Sequence, residues 1–321
     1  MRAVICPAYG PPEVVRVEEA SSPDLADGQV RVRVAAAAVN FPDVLLVAGK
    51  YQVTVPPPFI PGSEFAGVIT ETSCDDDNFA VGDRVTGTGM VGAFAEQVCT
   101  GSGALAPIPE GVDYRTAAAS GVAFRTAYHA LRSTARVAAG DDIVVLGAGG
   151  GVGLAAVALA TALGARVIAV ASSAEKLSAA AGYGAVHGID HRSADLRQAL
   201  RESLPGGAAA VIDPVGGGLS EPALRSLRRG GRFVTVGFAS GSIPRIPLNL
   251  VLVKGIQVLG FQFQDIPAGE FTRNESELRR LLATGAVAPH IGATYPLADT
   301  AAALRHVADG RAIGKVIIDV G

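Results

Sequence analysis

Five glycines fall between Gly147 and Gly153, directly behind Ile143-Val144-Val145-Leu146 and ahead of a run of Ala and Leu. A β-branched apolar run, a glycine cluster and a helix-forming run read in order as strand, tight turn and helix. The strict G-x-G-x-x-G spacing fails, because position 152 is Val. G-x-x-G-x-x-G fits through Gly147, Gly150 and Gly153. A pyrophosphate reaching a helix N-terminus needs backbone without Cβ in its way, and finds free N–H groups and the positive end of the helix dipole. The pattern therefore points to dinucleotide binding, with a purely structural turn as the alternative. Ile143 to Ala165 carries no charge over 23 residues, long enough to span a bilayer. The glycines interrupt it, Asp141, Asp142 and Arg166 flank it, and the helix behind the turn is too short to span alone, so no membrane segment is expected.

Around this loop the chain changes texture twice. Up to about residue 110 it reads as β-structure: Val30-Arg31-Val32-Arg33-Val34 alternates with period two, and Pro56-Pro57-Pro58 and Pro61-Gly62 mark a loop. From Tyr114 to Gly260 strands alternate with helices. Strands are predicted at 142–146, 166–171, 208–213, 232–237 and 256–260, and helices at 154–163, 175–181, 194–200 and 221–228. Such alternation implies a parallel sheet covered on both faces, with ligands at the carboxyl ends of its strands. Beyond Gly260, Asn274-Glu275-Ser276-Glu277 reads as a capping box ahead of a helix at 278–283, and Asp299 as the cap of one at 301–308. This tail is too short for a third domain and is expected to return to the first.

Composition narrows the function classes. Apolar residues make up 49% and formal net charge is −3, which excludes a disordered chain and leaves no basic field for nucleic acid or anionic lipid. Three cysteines, Cys6, Cys74 and Cys99, lack paired spacing, and no apolar leader follows Met1. A reducing cytoplasm is the expected compartment. No metal is expected. Zinc catalysis needs three protein ligands, and neither those cysteines nor the five histidines offer that spacing; His187 and His191 are four apart but straddle a strand and turn.

The end of the strand after the glycine loop bears on the nucleotide. Arg166–Val170 runs into Ala171-Ser172-Ser173-Ala174-Glu175-Lys176, without the carboxylate at the strand tip that a ribose diol requires. Two hydroxyls and a lysine suit a 2′-phosphate instead, which predicts NADPH over NADH. The alternative is a serine that only caps the helix and a solvated Lys176.

These segments together with Val39-Asn40-Phe41-Pro42-Asp43, Gly49-Lys50-Tyr51, Pro58-Phe59-Ile60-Pro61-Gly62-Ser63-Glu64, Val81-Gly82-Asp83-Arg84-Val85, Arg125-Thr126-Ala127-Tyr128-His129-Ala130-Leu131 and Gly314-Lys315-Val316 give a nearly full-length match. The chain resembles the zinc-independent quinone oxidoreductases of the medium-chain dehydrogenase/reductase superfamily. The zinc-dependent relatives carry a Cys near Asn40, a His in place of Ser63 and a four-Cys lobe, all missing here. The resemblance implies an α/β chain in which a Rossmann doubly wound parallel sheet (120–260, NADPH-binding) is inserted in a GroES-like β-rich catalytic domain (1–119 and 261–321), with the active site in the cleft. It also implies a zinc-free, NADPH-dependent oxidoreductase that delivers hydride to a quinone or an α,β-unsaturated carbonyl, and a homodimer, for which 256–261 is a plausible edge strand.

The resemblance further places Asn40 beside the nicotinamide ribose and Thr126 at the nicotinamide. It sets Gly150, Gly151 and Val152 at the pyrophosphate, Ser172, Ser173 and Lys176 at the 2′-phosphate, and Gly237, Phe238 and Phe261 near the nicotinamide. His191 stands where the family often has Tyr, and the second cleft tyrosine that some members carry near Leu45 is missing. Tyr51 is then the candidate proton or hydrogen-bond donor to the product oxyanion, or a wall that packs on substrate. Asp43 orients its loop or is a cap. Asn40 holds a ribose hydroxyl or satisfies its own loop. Quinone reduction, reduction of an enone, 2-alkenal or enoyl-thioester double bond, and a non-enzymatic NADPH-binding sensor or structural protein remain open on the sequence.

Overall fold

The computed structural model describes residues 1–74 and 79–321, and the chain divides into two units. Unit 1 comprises Met1–Val122 and Pro289–Gly321; unit 2 comprises Ala123–Ala288. No helix among the described residues is long and apolar enough to cross a membrane.

Unit 2 is built on six strands: β1 (Asp142–Leu146), β2 (Arg166–Ala171), β3 (Ala185–Asp190), β4 (Ala208–Asp213), β5 (Leu227–Thr235) and β6 (Gln257–Gly260). They lie in the order β3-β2-β1-β4-β5-β6, every pair parallel. This is the doubly wound order, whose strand sequence reverses beside β1. Side chains alternate between the faces, as period two requires. Ile143, Val145, Val167, Ala169, Ala210 and Ile212 pack into one core, while Val144, Leu146, Ile168, Val170 and Val211 pack into the other.

The helices of unit 2 are α1 (Val122–His129, its first residue still in unit 1), α2 (Gly151–Ala162), α3 (Ala174–Gly182), α4 (Leu196–Ser203), α5 (Ser220–Arg225), α6 (Leu248–Lys254) and α7 (Ala268–Ala283). Helix α2 is apolar almost all round and is correspondingly buried from Gly153 to Ala160. Helix α4 is amphipathic, burying Leu196 and Leu200 one turn apart, with the Asp195 carboxylate accepting the Arg197 and Gln198 N–H groups at its start.

Two expectations for the tail change here. Residues 261–288 belong to unit 2, because Phe261, Leu278 and Val287 are buried in its core; the chain returns to unit 1 only at Pro289. Asn274 is no cap. It lies in the middle of the sixteen-residue α7, is 1% exposed and donates to Ser133 Oγ at 2.9 Å, so tertiary burial outweighs its local preference for helix ends.

Unit 1 is a mostly antiparallel sheet. The strands at 291–296, 315–319, 29–39, 64–72, 84–88 and 105–107 follow one another in that order, and 97–101 also pairs with 29–39. The long strand Gln29–Val39 turns Val30, Val32 and Val34 into one core. A register shift between Val34 and Ala36 then reverses the phase, so that Ala37 and Val39 continue that core while Ala36 and Ala38 face another. The strand ends at Asn40, which begins the helix Phe41–Val47.

Candidate functional site

In unit 1, four segments converge on a buried polar centre: Asn40 and Asp43 at the start of helix Phe41–Val47, Ser63 and Glu64 entering strand Glu64–Thr72, Lys315 opening strand Lys315–Asp319, and Val122 opening α1. Glu64 is fully buried. Its Oε1 accepts the Val122 N–H at 2.8 Å, and its Oε2 accepts Asn40 Nδ2 and Lys315 Nζ, each at 3.0 Å. The Lys315 ammonium, 3% exposed, also donates to Asn40 Oδ1. The Asn40 amide is thereby committed at both ends, its nitrogen also reaching Ser63 Oγ at 3.3 Å. A buried ion pair of this kind persists only when its remaining lone pairs and protons are satisfied, as they are here.

Asp43 is 0% exposed, and its Oδ2 accepts the Asn40 N–H at 2.7 Å. Its Oδ1 is buried without a properly directed hydrogen bond, although the Ser63 hydroxyl is close enough to favour the ionised form. Burial dominates and pushes the carboxyl up to about 7, against the pull of the Asn40 N–H and the Lys315 charge. Asp43 thus lies in the interior with its carboxylate on the Asn40 N–H, a burial that the sequence could not show. Glu64 and Lys315, noted in the sequence only as motif letters, are the residues that hold Asn40.

Tyr51 stands apart from this centre. It lies half-buried past the end of the helix, packed on the unit 1 core, and its hydroxyl makes no hydrogen bond among the described residues.

In unit 2 the loops leaving β1 to β5 share the carboxyl edge of the sheet. Gly147 takes φ +61°, and a Cβ on Gly153 would sit 2.0 Å from the Gly147 carbonyl oxygen, so the loop closes on the helix only with glycine at both positions. Gly150 is the N-cap of α2, and Gly151 and Val152 are half-buried at its first turn, where the N–H groups have no intrahelical acceptor. The Lys176 stem lies against Gly149, and its Nζ reaches Ser172 Oγ at 3.4 Å. Ser173 caps α3, its Oγ accepting the Lys176 N–H at 3.4 Å.

His191 follows β3, and burial lowers its imidazole below the usual range, with Arg192 and Lys176 adding to the effect and Asp190 opposing it. Burial and then Arg192 likewise lower Lys176. The mutual effects place three basic groups together, and Arg192 was missed in the sequence, where it reads as one more surface arginine. Gly237 follows β5, its N–H on the Asp213 carbonyl, and Phe238 lies over Gly216. Phe261 is 8% exposed with its ring edge-on to Phe263, and Thr126 stands half-buried on α1.

A glycine cradle at a helix N-terminus, hydroxyls and basic groups at the tips of β2 and β3, and a six-stranded doubly wound sheet define a dinucleotide-binding oxidoreductase unit. The comparisons agree. Residues 151–283 match the family model described as "Zinc-binding dehydrogenase", and residues 26–110 match "Alcohol dehydrogenase GroES-like domain". The quinone oxidoreductase-like protein 2 of Bos taurus is 36% identical over 99% of this chain and 92% of its own length. The crystal structure of Escherichia coli quinone oxidoreductase complexed with NADPH matches with a TM-score of 0.91 at 28% identity, covering 100% of both chains. A mycocerosic acid synthase-like polyketide synthase of Mycobacterium tuberculosis is 32% identical over 91% of this chain, which spans 14% of that protein.

The chain belongs to the quinone oxidoreductase family of the medium-chain dehydrogenase/reductase superfamily. The zinc of the family description does not suit the residues present. Among the described residues no three Cys, His, Asp or Glu side chains stand together so that they could hold a metal ion, and the buried centre of unit 1 presents Asn, Ser, two carboxylates and an ammonium rather than thiolate or imidazole.

Proposed function

We propose that this oxidoreductase uses NADPH to reduce a quinone. The observation that carries the cofactor preference is the cluster at the tips of β2 and β3: Lys176 Nζ 3.4 Å from Ser172 Oγ, with His191 and Arg192 alongside and no carboxylate at the end of β2. Three basic side chains and a hydroxyl recognise a 2′-phosphate, whereas an NAD site holds the ribose diol with Asp or Glu. Ser173 caps α3 through its lone pair, and its hydroxyl also favours the ionised Glu175 carboxylate two residues on. The N–H groups of Gly151 and Val152 hold the pyrophosphate, and Thr126, Gly237, Phe238 and Phe261 shape the nicotinamide end. When bound, the reduced nicotinamide supplies a hydride to an electron-poor carbon.

The residues of unit 1 then act by position and proton supply. Asn40, fixed by Glu64, Lys315 and Ser63, presents a rigid edge to the cofactor ribose. The Tyr51 hydroxyl, with no hydrogen-bond partner among the described residues, donates a hydrogen bond to the oxyanion of the product. Quinone as acceptor is supported by the names of the relatives. The similarity to a polyketide synthase supports the second reading, reduction of an enoyl-thioester or related double bond. A homodimer is supported by the exposed apolar side chains of Leu248, Leu252 and Val253 on α6 and Val258 on the terminal strand β6. Three unpaired cysteines are in keeping with a reducing cytoplasm.

The test is NADPH oxidation at 340 nm, with NADH as control and with an ortho-quinone, a para-quinone, a 2-alkenal and an enoyl-CoA as acceptors. Turnover confined to quinones supports the proposal. A saturated carbonyl product moves the assignment to double-bond reduction. NADPH binding without turnover on any acceptor makes the chain a sensor or structural protein.

A further inference from the structure

Unit 2 carries a basic cavity at the end of its sheet opposite the glycine loop. Its volume is about 500 Å³, and its walls include Arg132, Arg136, Glu270, Arg273 and Asn274. The segment 136–139 leads into the first residue of β1, whereas the glycine loop leaves its last. Five residues of strand, about 16 Å at 3.3 Å each, separate this cavity from the dinucleotide cradle.

The cavity presents three guanidinium groups against a single carboxylate, Glu270. Arg132 lies 3.6 Å from Glu277 through one terminal nitrogen, while its Nε is buried and has no hydrogen-bond partner. A buried orphan donor is costly unless something supplies an acceptor. The guanidinium groups of Arg136 and Arg273 pair with no carboxylate among the described residues, whereas other arginines of this chain, such as Arg115 on Asp319 and Arg305 on Glu13, do. Arg136 is the one non-glycine residue at positive φ, +50°, among the described residues. Its loop is anchored from β5 by Arg232, which donates to the Ala135 carbonyl at 2.6 Å. The opposite wall is rigid too: Asn274 is buried on α7 and bonded to Ser133.

We propose that this cavity binds a phosphate-bearing small molecule by its phosphate. The Arg136 and Arg273 forks together with Arg132 Nε offer more directed donors than the two oxygens of a carboxylate accept, and a phosphate monoester brings three acceptor oxygens and a charge near −2. Arginine rather than lysine on every basic wall position suits this planar, bidentate recognition. Glu270 repels a second anion and accepts from a hydroxyl or amine on the remainder of the ligand. The volume lies within the range of small-molecule sites.

Isothermal titration calorimetry of the full chain with glycerol 1-phosphate, with glycerol and citrate in parallel, tests this. Saturable binding of glycerol 1-phosphate is expected, weakened about tenfold or more in Arg136→Gln and in Arg273→Gln. Both side chains are exposed, so neither change disturbs the core. Lys176→Gln, at the opposite end of the sheet, leaves this binding unchanged. Absence of saturable binding up to about 10 mM, well beyond the affinity that several charge-assisted bonds confer, overturns the proposal. Binding that follows Lys176 and not the two arginines also overturns it, as does citrate binding as tight as that of the phosphate.

Discussion

Asp43 offers the sharpest test of the buried centre in unit 1. Its carboxyl is fully buried, with one oxygen on the Asn40 N–H and the other unpaired, and burial raises it from 3.8 to about 7. Below pH 3.8 both folded and unfolded chains hold this proton. Between there and pH 7 the folded chain holds it and the unfolded chain does not, so stability falls as pH rises, by about 1.4 kcal/mol per unit. Above pH 7 the full loss, about 4 kcal/mol, is in place. Asp43→Asn keeps an acceptor for the Asn40 N–H and cannot ionise. The variant is therefore expected to match the wild type near pH 4 and to exceed it increasingly up to pH 7, with a constant gap beyond. The assay is urea unfolding from pH 4 to 8.5, read by hydrogen–deuterium labelling at one fixed pH and followed in the peptide spanning 36–47. A gap that does not change with pH, or a variant less stable throughout, refutes a raised Asp43.

Glu64→Gln strands the Lys315 ammonium in the interior and is expected to cost about 3–5 kcal/mol in unit 1, whereas Glu64→Gln with Lys315→Met recovers most of it; equal losses in the single and double variants refute the pair. Gly153→Ala drives a methyl into the Gly147 carbonyl and is expected to abolish NADPH binding by calorimetry and to cost about 1–3 kcal/mol of unit 2 stability. Lys176→Gln is expected to weaken NADPH about tenfold or more while leaving NADH within about twofold; equal changes for both cofactors remove the 2′-phosphate assignment. Tyr51→Phe is expected to lower kcat about a hundredfold with KM little changed, and unaltered turnover removes the donor role.

The alternation of strand and helix, the glycine loop and the hydroxyl–lysine tip of β2 were all legible in the sequence, because each rests on local rules: side-chain period, the steric demand for glycine, and the chemistry at a strand end. Those rules placed β1, β2 and β4 at the bounds observed. They did not place helix α6, whose exposed Leu248, Leu252 and Val253 give it no buried apolar stripe, nor did they extend α7 back across Asn274.

What only the tertiary structure decided lies in contacts between distant residues. Lys315 meets Glu64 across 251 positions, and that meeting turns two unremarkable motif letters into the clamp on Asn40. Asp43 looks the same in sequence whether it caps a surface loop or sits in the interior, and its proton affinity follows wholly from burial. Arg132, Arg136 and Arg273 become a cavity wall only when α7 packs beside the segment that enters β1. Local order is written in short-range periodicity. The pairing and desolvation of charges depend on which segments the fold brings together, and that information resides in no single stretch of the chain.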